Sequence, residues 1–185
     1  MPRMGLDPAR VVDVAAGIAD TQGLEAVTLA RVAGELGVRA PSLYNHVDGR
    51  PDLLRAMALR CVRELAAALR EAAVGRSGAD ALSAAAHAYR DYATAHPGLY
   101  AATVAAPAGD DEEHLAAAAE AVDVLLAVMR AWGLEGDEAI HAVRAMRSAV
   151  HGFVAIEAGG GFGMQVDIDV SFDRLVATLA GGLEG

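Results

Sequence analysis

Residues 28–50 read TLARVAGELGVRAPSLYNHVDGR, and the interpretation of the whole chain starts from this stretch. Its pattern predicts two short helices joined by a tight turn. Thr28 can cap the first helix, and Gly37 supplies a residue that tolerates a positive φ at the turn. Ala33 is the small residue that a close helix crossing requires. We therefore predict a helix-turn-helix in which Pro41 opens a further helix that ends near His46.

The side chains that this motif turns outward are suited to DNA. The buried wedge would consist of Val32, Leu36, Val38 and Leu43. The residues left facing outward would be Arg39, Ser42, Asn45 and His46. Arginine can bond guanine, asparagine can bond adenine and serine can bond a base or a phosphate. Thr28 places a hydroxyl and a helix N-terminus where a phosphate can bind. An ordinary helical hairpin with polar caps is the alternative that the spacing leaves open.

Helical signals dominate on both sides of this stretch. Asp7 and Pro8 can start a helix that Gly23 ends. Apolar residues then recur at helical spacing over about 51–74, 79–96, 110–132, 137–158 and 170–183, and residues 99–106 can add a short piece. The alternating segment MQVDIDV, residues 164–170, is read as a loop because a strand needs a partner. The predicted fold class is all-α with about nine helices.

Charge is distributed unevenly along the chain. The formal net charge is −10, which by itself argues against a DNA partner. Residues 1–60, however, hold seven arginines and seven acidic residues, so the excess negative charge lies in residues 61–185. An N-terminal part without net charge can place arginines at phosphates, while the acidic remainder of the chain is repelled from DNA. The charge pattern is therefore compatible with DNA binding.

Composition argues against several other classes. No apolar run approaches the roughly 20 residues of a membrane-spanning helix, and MPRMGLDPAR lacks the apolar stretch of a secretory signal. Cys61, the one cysteine, cannot form an internal disulfide, which suits a reducing compartment. We therefore expect a cytoplasmic protein, and the lack of a long apolar run predicts no membrane partner. No nucleophile–base–acid set or metal-ligand spacing is visible, and the acidic run 110–113 is expected to be a solvated helix cap. We expect no enzyme activity, no cofactor and no metal.

Residues 37–54, GVRAPSLYNHVDGRPDLL, resemble the recognition-helix signature of TetR-family transcriptional regulators. The preceding VTLARVAGELGV, residues 27–38, is similar to the family pattern too, so the resemblance covers roughly residues 8–60. HAYRDYATAHPGLYAATV, residues 87–104, and SAVHGFVAIEAGGGFG, residues 148–163, look like one recurring type of C-terminal domain in that family.

The resemblance implies a role for each matched residue. The positions that contact the DNA backbone would be Thr28, Tyr44, His46 and Arg50. The positions that face the bases would be Arg39, Ala40, Pro41, Ser42 and Asn45. Two departures stand out. Ala40 offers only an apolar contact, such as to a thymine methyl, and Asp48 puts an acid where many relatives are basic, which would weaken binding.

The resemblance also implies a homodimer, a near-palindromic operator and a small-molecule effector. The domains would be a DNA-binding domain at 1–50 and an effector-binding and dimerisation domain at 51–185. The dimer face would use Ala139, Ala142, Val143, Met146, Val150, Phe153 and Val154, with Val170, Leu175, Val176 and Leu179. The candidate ligand residues are His87, Tyr89, Tyr92, Tyr100, Met129, Trp132, Met146 and His151. Plain core packing is the alternative for both sets.

The predicted function is a sequence-specific DNA-binding transcriptional regulator. It would be a repressor that a small-molecule effector releases from its operator, by tilting the long helix after Pro51 and changing the separation of the recognition helices. Two alternatives remain open at this point. One is a DNA-binding dimer without a small-molecule effector, and the other is a helical enzyme with an incidental helix-turn-helix.

Overall fold

The computed structural model describes residues 6–103 and 109–184, and every regular element within them is helical. The α-helices are α1 (Pro8–Gln22), α2 (Leu29–Leu36), α3 (Arg50–Ala73), α4 (Gly78–Ala95), α5 (Pro97–Ala101), α6 (Glu112–Met129), α7 (Gly136–Ala158) and α8 (Ile168–Leu183). The 3₁₀ segments are Leu24–Ala26, Ala40–Asn45 and Arg130–Trp132. The predicted all-α class is confirmed.

Two details of the predicted elements differ. The segment MQVDIDV forms no strand, as predicted, but helix α8 already begins within it, at Ile168, where the Asp167 side chain accepts the N–H groups of Asp169 and Val170. The short helical piece predicted over 99–106 corresponds to α5, which ends at Ala101. Residues 104–108 of that piece and of the loop that follows lie outside the described residues.

The chain forms two compact units. Unit 1 comprises Met1–Val62 and His96–Asp111, and unit 2 comprises Arg63–Ala95 and Glu112–Gly185. Helix α3 therefore contributes its first half to unit 1 and its second half to unit 2, while α5 belongs to unit 1. The functional division at residue 50 stays a prediction. No helix of the described residues is long and apolar enough to cross a membrane.

A close approach between α1 and α5 organises unit 1. A Cβ added to Gly98 would lie 2.0 Å from the carbonyl carbon of Ala19, so only glycine fits there. The carboxylate of Asp20 accepts the backbone N–H groups of Gly98 and Leu99, both at 2.9 Å. These bonds satisfy amides at the start of α5 that have no partner within the helix.

The acidic run 110–113, at the start of α6, is only partly solvated, so that prediction needs correction. The Asp111 side chain is 10% exposed, and its carboxylate pairs with the Arg55 guanidinium at 2.5 and 2.6 Å. Arg63 likewise donates to Glu113 at 2.9 Å. These arginines lie more than 45 residues away along the chain, so the pairing was not visible in the local pattern. Among the described residues, no group of three or more His, Cys, Asp or Glu could hold a metal ion.

Unit 2 has its core where α4 packs against α6, α7 and α8. Six of the eleven residues predicted to face a partner are buried within the chain itself, so the prediction needs correction for these six. They are Ala139, Val143, Met146, Val150, Val154 and Val176. The large apolar residues that α7 and α8 leave exposed are Ile140, Ile156 and Val170. The remaining predicted residues are half-buried or exposed, and for them the dimer face stays a prediction: Ala142, Phe153, Val170, Leu175 and Leu179.

Arg90 on α4 joins α7 to α8. Its guanidinium donates to the Glu157 carboxylate at 2.9 and 2.5 Å and lies 2.8 Å from an Asp169 oxygen. It also lies over the Phe172 ring, 4.9 Å from the centroid. The hydrogen bonds that Arg90 donates to Glu157 raise the pKa of Arg90 above its ordinary value, although burial acts in the opposite direction. Arg90 therefore stays a cation even at alkaline pH.

Candidate DNA-binding interface

Helix α2 begins and ends as the sequence predicts. Thr28 has extended backbone angles (φ −125°, ψ 151°), and its hydroxyl oxygen accepts the N–H of Arg31 at 3.2 Å. Gly37 is left-handed (φ 68°, ψ 27°), and its N–H donates to the Gly34 carbonyl at 3.1 Å. The N–H of Val38 donates to the Ala33 carbonyl at 3.0 Å, which completes the turn.

The second helix of the motif is a 3₁₀ helix, Ala40–Asn45. The Ser42 N–H donates to the Arg39 carbonyl at 2.9 Å, and the His46 N–H donates to the Leu43 carbonyl at 2.8 Å. Pro41 has no N–H to donate, and its fixed φ suits the first turn. Since a 3₁₀ helix has three residues per turn, side chains three apart in sequence lie in one row.

The 3₁₀ geometry sorts the predicted DNA-binding residues into three rows. The inner row is Ala40, Leu43 and His46, in which Leu43 is fully buried and the other two are half-buried. The second row is Pro41 and Tyr44, both exposed. The third row is Ser42 and Asn45; with Arg39, which directly precedes the helix in an extended conformation, they are called the outer row here, and of the three only Ser42 is half-buried.

The predicted DNA-binding residues differ in how accessible they are to a partner. Leu43 anchors the segment because the 3₁₀ helix packs on α2, whose Val32 and Ala33 are buried. Ala40 and His46 share the anchoring row, so they are less accessible than Tyr44, whose exposed fraction is 59%. Within residues 6–103 and 109–184, the Arg39 side chain makes no hydrogen bond or ion pair, which leaves its guanidinium available to a partner.

Arg50 is bound to the protein's own backbone. Its Nε donates to the Val27 carbonyl at 2.8 Å and its Nη2 donates to the Leu24 carbonyl at 3.1 Å. The Glu25 carboxylate lies 3.6 Å from the same Nη2. Arg50 thereby fixes the segment that leads into Thr28 and α2. Sequence reasoning missed this role because the partners lie 23 and 26 residues away, and its predicted phosphate contact stays a prediction.

Asp48 lies between the 3₁₀ helix and α3. Its backbone N–H donates to Asp52 Oδ2 at 2.9 Å, which helps to start α3, and the residue itself is exposed. The acid that departs from the family pattern is thus on the surface, two residues from Arg50. Its expected weakening of DNA binding stays a prediction.

The candidate ligand residues are divided between the two units. Tyr100 is buried in unit 1, and the other seven belong to unit 2. Of these, the buried residues are Tyr89, Met129 and Met146, and the half-buried residues are His87, Tyr92, Trp132 and His151.

Several candidate ligand residues have defined surroundings. His87 Nε2 lies 2.9 Å from Asp173 Oδ1, and the Tyr92 hydroxyl donates to Glu64 Oε2 at 2.8 Å. Met146 lines an open cavity of about 230 Å³ formed by residues of α4, α7 and α8. The predicted role of these residues in ligand binding stays a prediction.

Known proteins resemble this chain over both units. The family profile described as "Tetracyclin repressor-like, C-terminal domain" matches residues 82–179. The HTH-type transcriptional regulator Rv0681 of Mycobacterium tuberculosis is 39% identical over 175 residues, which are 94% of this chain and 80% of the relative. The HTH-type transcriptional regulator YobS of Bacillus subtilis is 34% identical over 182 residues, which are 98% and 95% of the two chains.

The fold matches solved structures as well. A TetR variant from Acinetobacter baumannii AYE in complex with minocycline has a TM-score of 0.75 and 21% identity, and the match covers 97% of each chain. The profile accounts for the C-terminal part, and the two relatives extend over nearly the whole chain, including the helix-turn-helix. Together they confirm the resemblance seen in residues 37–54, and the chain belongs to the TetR family of transcriptional regulators.

Proposed function

We propose that this regulator is a cytoplasmic homodimeric repressor that reads a near-palindromic operator through the outer row, Arg39, Ser42 and Asn45. The observation that carries the proposal is the exposure of Arg39 and Asn45 on a segment anchored by buried Leu43. Regulators of this family bind DNA as dimers and bind small-molecule effectors. The positions of individual residues support the roles in DNA binding, dimerisation and effector binding that we assign to them.

The spacing of the outer row fits base reading. A 3₁₀ helix rises about 2.0 Å per residue, so Ser42 and Asn45 lie roughly 6 Å apart along its axis. Bases on one strand are about 3.4 Å apart, so Ser42 and Asn45 are separated by about two base pairs, and Arg39 precedes them at the start of the helix. We assign Arg39 to a guanine and Asn45 to an adenine, with Ser42 between them.

Tyr44 and Thr28 are assigned to the DNA backbone and not to the bases. The exposed Tyr44 hydroxyl lies beside the outer row, and Thr28 holds the N-terminus of α2, where backbone amides favour a phosphate. Contacts of this kind set the register of a protein on DNA and carry no sequence information. Arg50 supports them by holding the Leu24–Val27 backbone, on which the position of Thr28 depends.

The dimer is proposed to form through the outer sides of α7 and α8. Small residues there are exposed, among them Ala145, Ala177 and Gly181, and they permit close helix approach. The cavity of about 230 Å³ lined by Ala142, Ala145 and Leu179 can accept a partner side chain. Two-fold symmetry would then place the two half-sites about 34–36 Å apart, or a multiple of that distance.

Effector control is proposed to act through α3. This helix runs without a break from Arg50, beside the motif, into unit 2, which also holds seven of the eight candidate ligand residues. Minocycline is bound by the A. baumannii protein described above, which supports a small-molecule effector of unit 2. A coupling free energy of about 1–3 kcal/mol would weaken DNA binding roughly 5–150-fold.

The test is selection of binding sites from random DNA, followed by a mobility shift with the selected sequence. Tyr44→Ala is expected to weaken binding to all sequences similarly, whereas Asn45→Ala is expected to relax the preference at one position of each half-site. Gln22→Ala, an exposed polar residue at the end of α1, is the control and should change neither. Selection without any enriched sequence, or an unchanged preference in Asn45→Ala, contradicts the proposal.

A further inference from the structure

A groove of about 430 Å³ lies within unit 2, where the end of α3, the turn to α4 and the end of α6 meet. Its volume is in the range of small-molecule sites. The apolar part of its lining consists of Ala73, Val74, Val124, Ala127, Val128 and Ala131. The polar part consists of Ser77 and three arginines, Arg70, Arg76 and Arg130.

The charge of this groove is opposite to that of its surroundings. Residues 63–95 and 112–185, which make up unit 2, contain 16 acidic residues and eight arginines. The groove nevertheless collects three of those arginines, and no acidic residue is among its lining residues. Three arginines and no acid in the lining favour an anion over a cation at this groove.

None of the three guanidinium groups is held by a close carboxylate, although Arg76 Nη1 donates to the Ala72 carbonyl at 2.7 Å. Arg70 lies 3.6 Å from Glu120, and Arg76, in the turn before α4, lies 3.6 Å from Asp80 in the first turn of that helix. All four side chains are at least 43% exposed, and ion pairs of this kind contribute little. The Arg130 side chain makes no hydrogen bond or ion pair with the part of the chain that the structure describes.

The apolar lining limits the class of ligand. Val74 is 70% exposed at the edge of the groove, and Val124 is half-buried beside it. An inorganic anion would leave this surface in water, and a neutral apolar molecule would cover the arginines without pairing them. A molecule with an anionic head and an apolar chain satisfies both parts of the lining.

We propose that this groove binds one molecule of an amphipathic organic anion. Its carboxylate, sulfate or phosphate head would pair with Arg130, Arg70 and Arg76, and its chain would cover Val74, Val124 and Ala127. This proposal stands apart from the proposed function, because binding of an anion to the groove can be measured on the protein without DNA.

The test uses decanoate below its micellar concentration, with 1-decanol as the neutral match. Trp132 is the one tryptophan of the chain and directly follows Ala131 of the lining, so its fluorescence reports occupancy. Decanoate is expected to give a saturable change, and decanol is expected to bind at least tenfold more weakly. Arg130→Gln should weaken decanoate binding about tenfold, whereas the control Arg144→Gln, an exposed arginine on α7, should not.

Ala127→Glu provides a second test of the groove. Ala127→Glu introduces an acid at an exposed helix position of the groove, so it should fold normally by circular dichroism and lose decanoate binding. Unchanged decanoate affinity in Ala127→Glu or Arg130→Gln would overturn the proposal. So would equal affinity for decanol, or binding to anionic phospholipid vesicles without binding to monomeric decanoate.

Discussion

Gly98→Ala tests the close approach of α1 and α5. The added Cβ would lie 2.0 Å from the Ala19 carbonyl carbon, 2.1 Å from its oxygen and 2.5 Å from the Asp20 nitrogen. All three are backbone atoms, so no side chain can turn away to make room. Reaching an ordinary contact of 3.4 Å requires the two helices to separate by about 1.4 Å.

That separation also stretches two hydrogen bonds. The Gly98 and Leu99 amides lie 2.9 Å from Asp20 Oδ1, and a shift of this size takes them beyond bonding distance. Overpacking costs about 1–3 kcal/mol, and each bond to a carboxylate contributes roughly 1.5–3 kcal/mol. Since these terms are not additive, we expect a loss of about 3–5 kcal/mol, a large fraction of a typical domain stability.

The assay is urea unfolding followed by circular dichroism, with Gly17→Ala as the matched control. Gly17 is an exposed residue inside α1, and a Cβ there would meet nothing within 4 Å. Alanine at that position should stabilise α1 by about 0.5–1 kcal/mol. If Gly98→Ala unfolds at the wild-type urea concentration while Gly17→Ala behaves as expected, the argument for backbone contact between α1 and α5 is refuted.

Three further predictions concern contacts that join distant parts of the chain. Arg50→Gln should lower the free energy of unfolding by about 1–2 kcal/mol, since two bonds to carbonyls are lost; an arginine that served DNA alone would leave urea unfolding unchanged. Arg90→Met should cost about 2–3 kcal/mol because it leaves Glu157 unpaired, while the exposed Arg174→Met should stay within about 0.5 kcal/mol in the same assay. Ala145→Glu should convert a dimer to a monomer in light scattering without altering the helical content, and a dimer that persists would exclude this face of α7.

The local parts of the interface could be predicted from the sequence. Thr28 caps α2, Gly37 reverses the chain and Leu43 is buried, all as the pattern indicated. Each of these features depends on residues within a few positions along the chain, because a cap or a turn is closed by near neighbours. The 3₁₀ form of Ala40–Asn45 was not predicted, and it places Ser42 and Asn45 in one row.

The pairing of distant side chains was decided by tertiary structure. Arg50 was predicted for phosphate contact and is bound to the Leu24 and Val27 carbonyls, and Asp111 was predicted to be solvated and is paired with Arg55. Nothing within a few residues of either side chain identifies its partner. The partner follows only when helices far apart in sequence pack together.

The apolar stripe of α7 shows the same limit. Its helical spacing established that Val143, Met146 and Val150 lie on one buried face. Periodicity reports that a face is covered, and it cannot report whether another helix of the same chain or a second chain covers it. The sequence by itself thus determined the helices, the helix-turn-helix and the family. The packing of α4 on α7 and α8 decided that this stripe is core, because an apolar face can be buried only once.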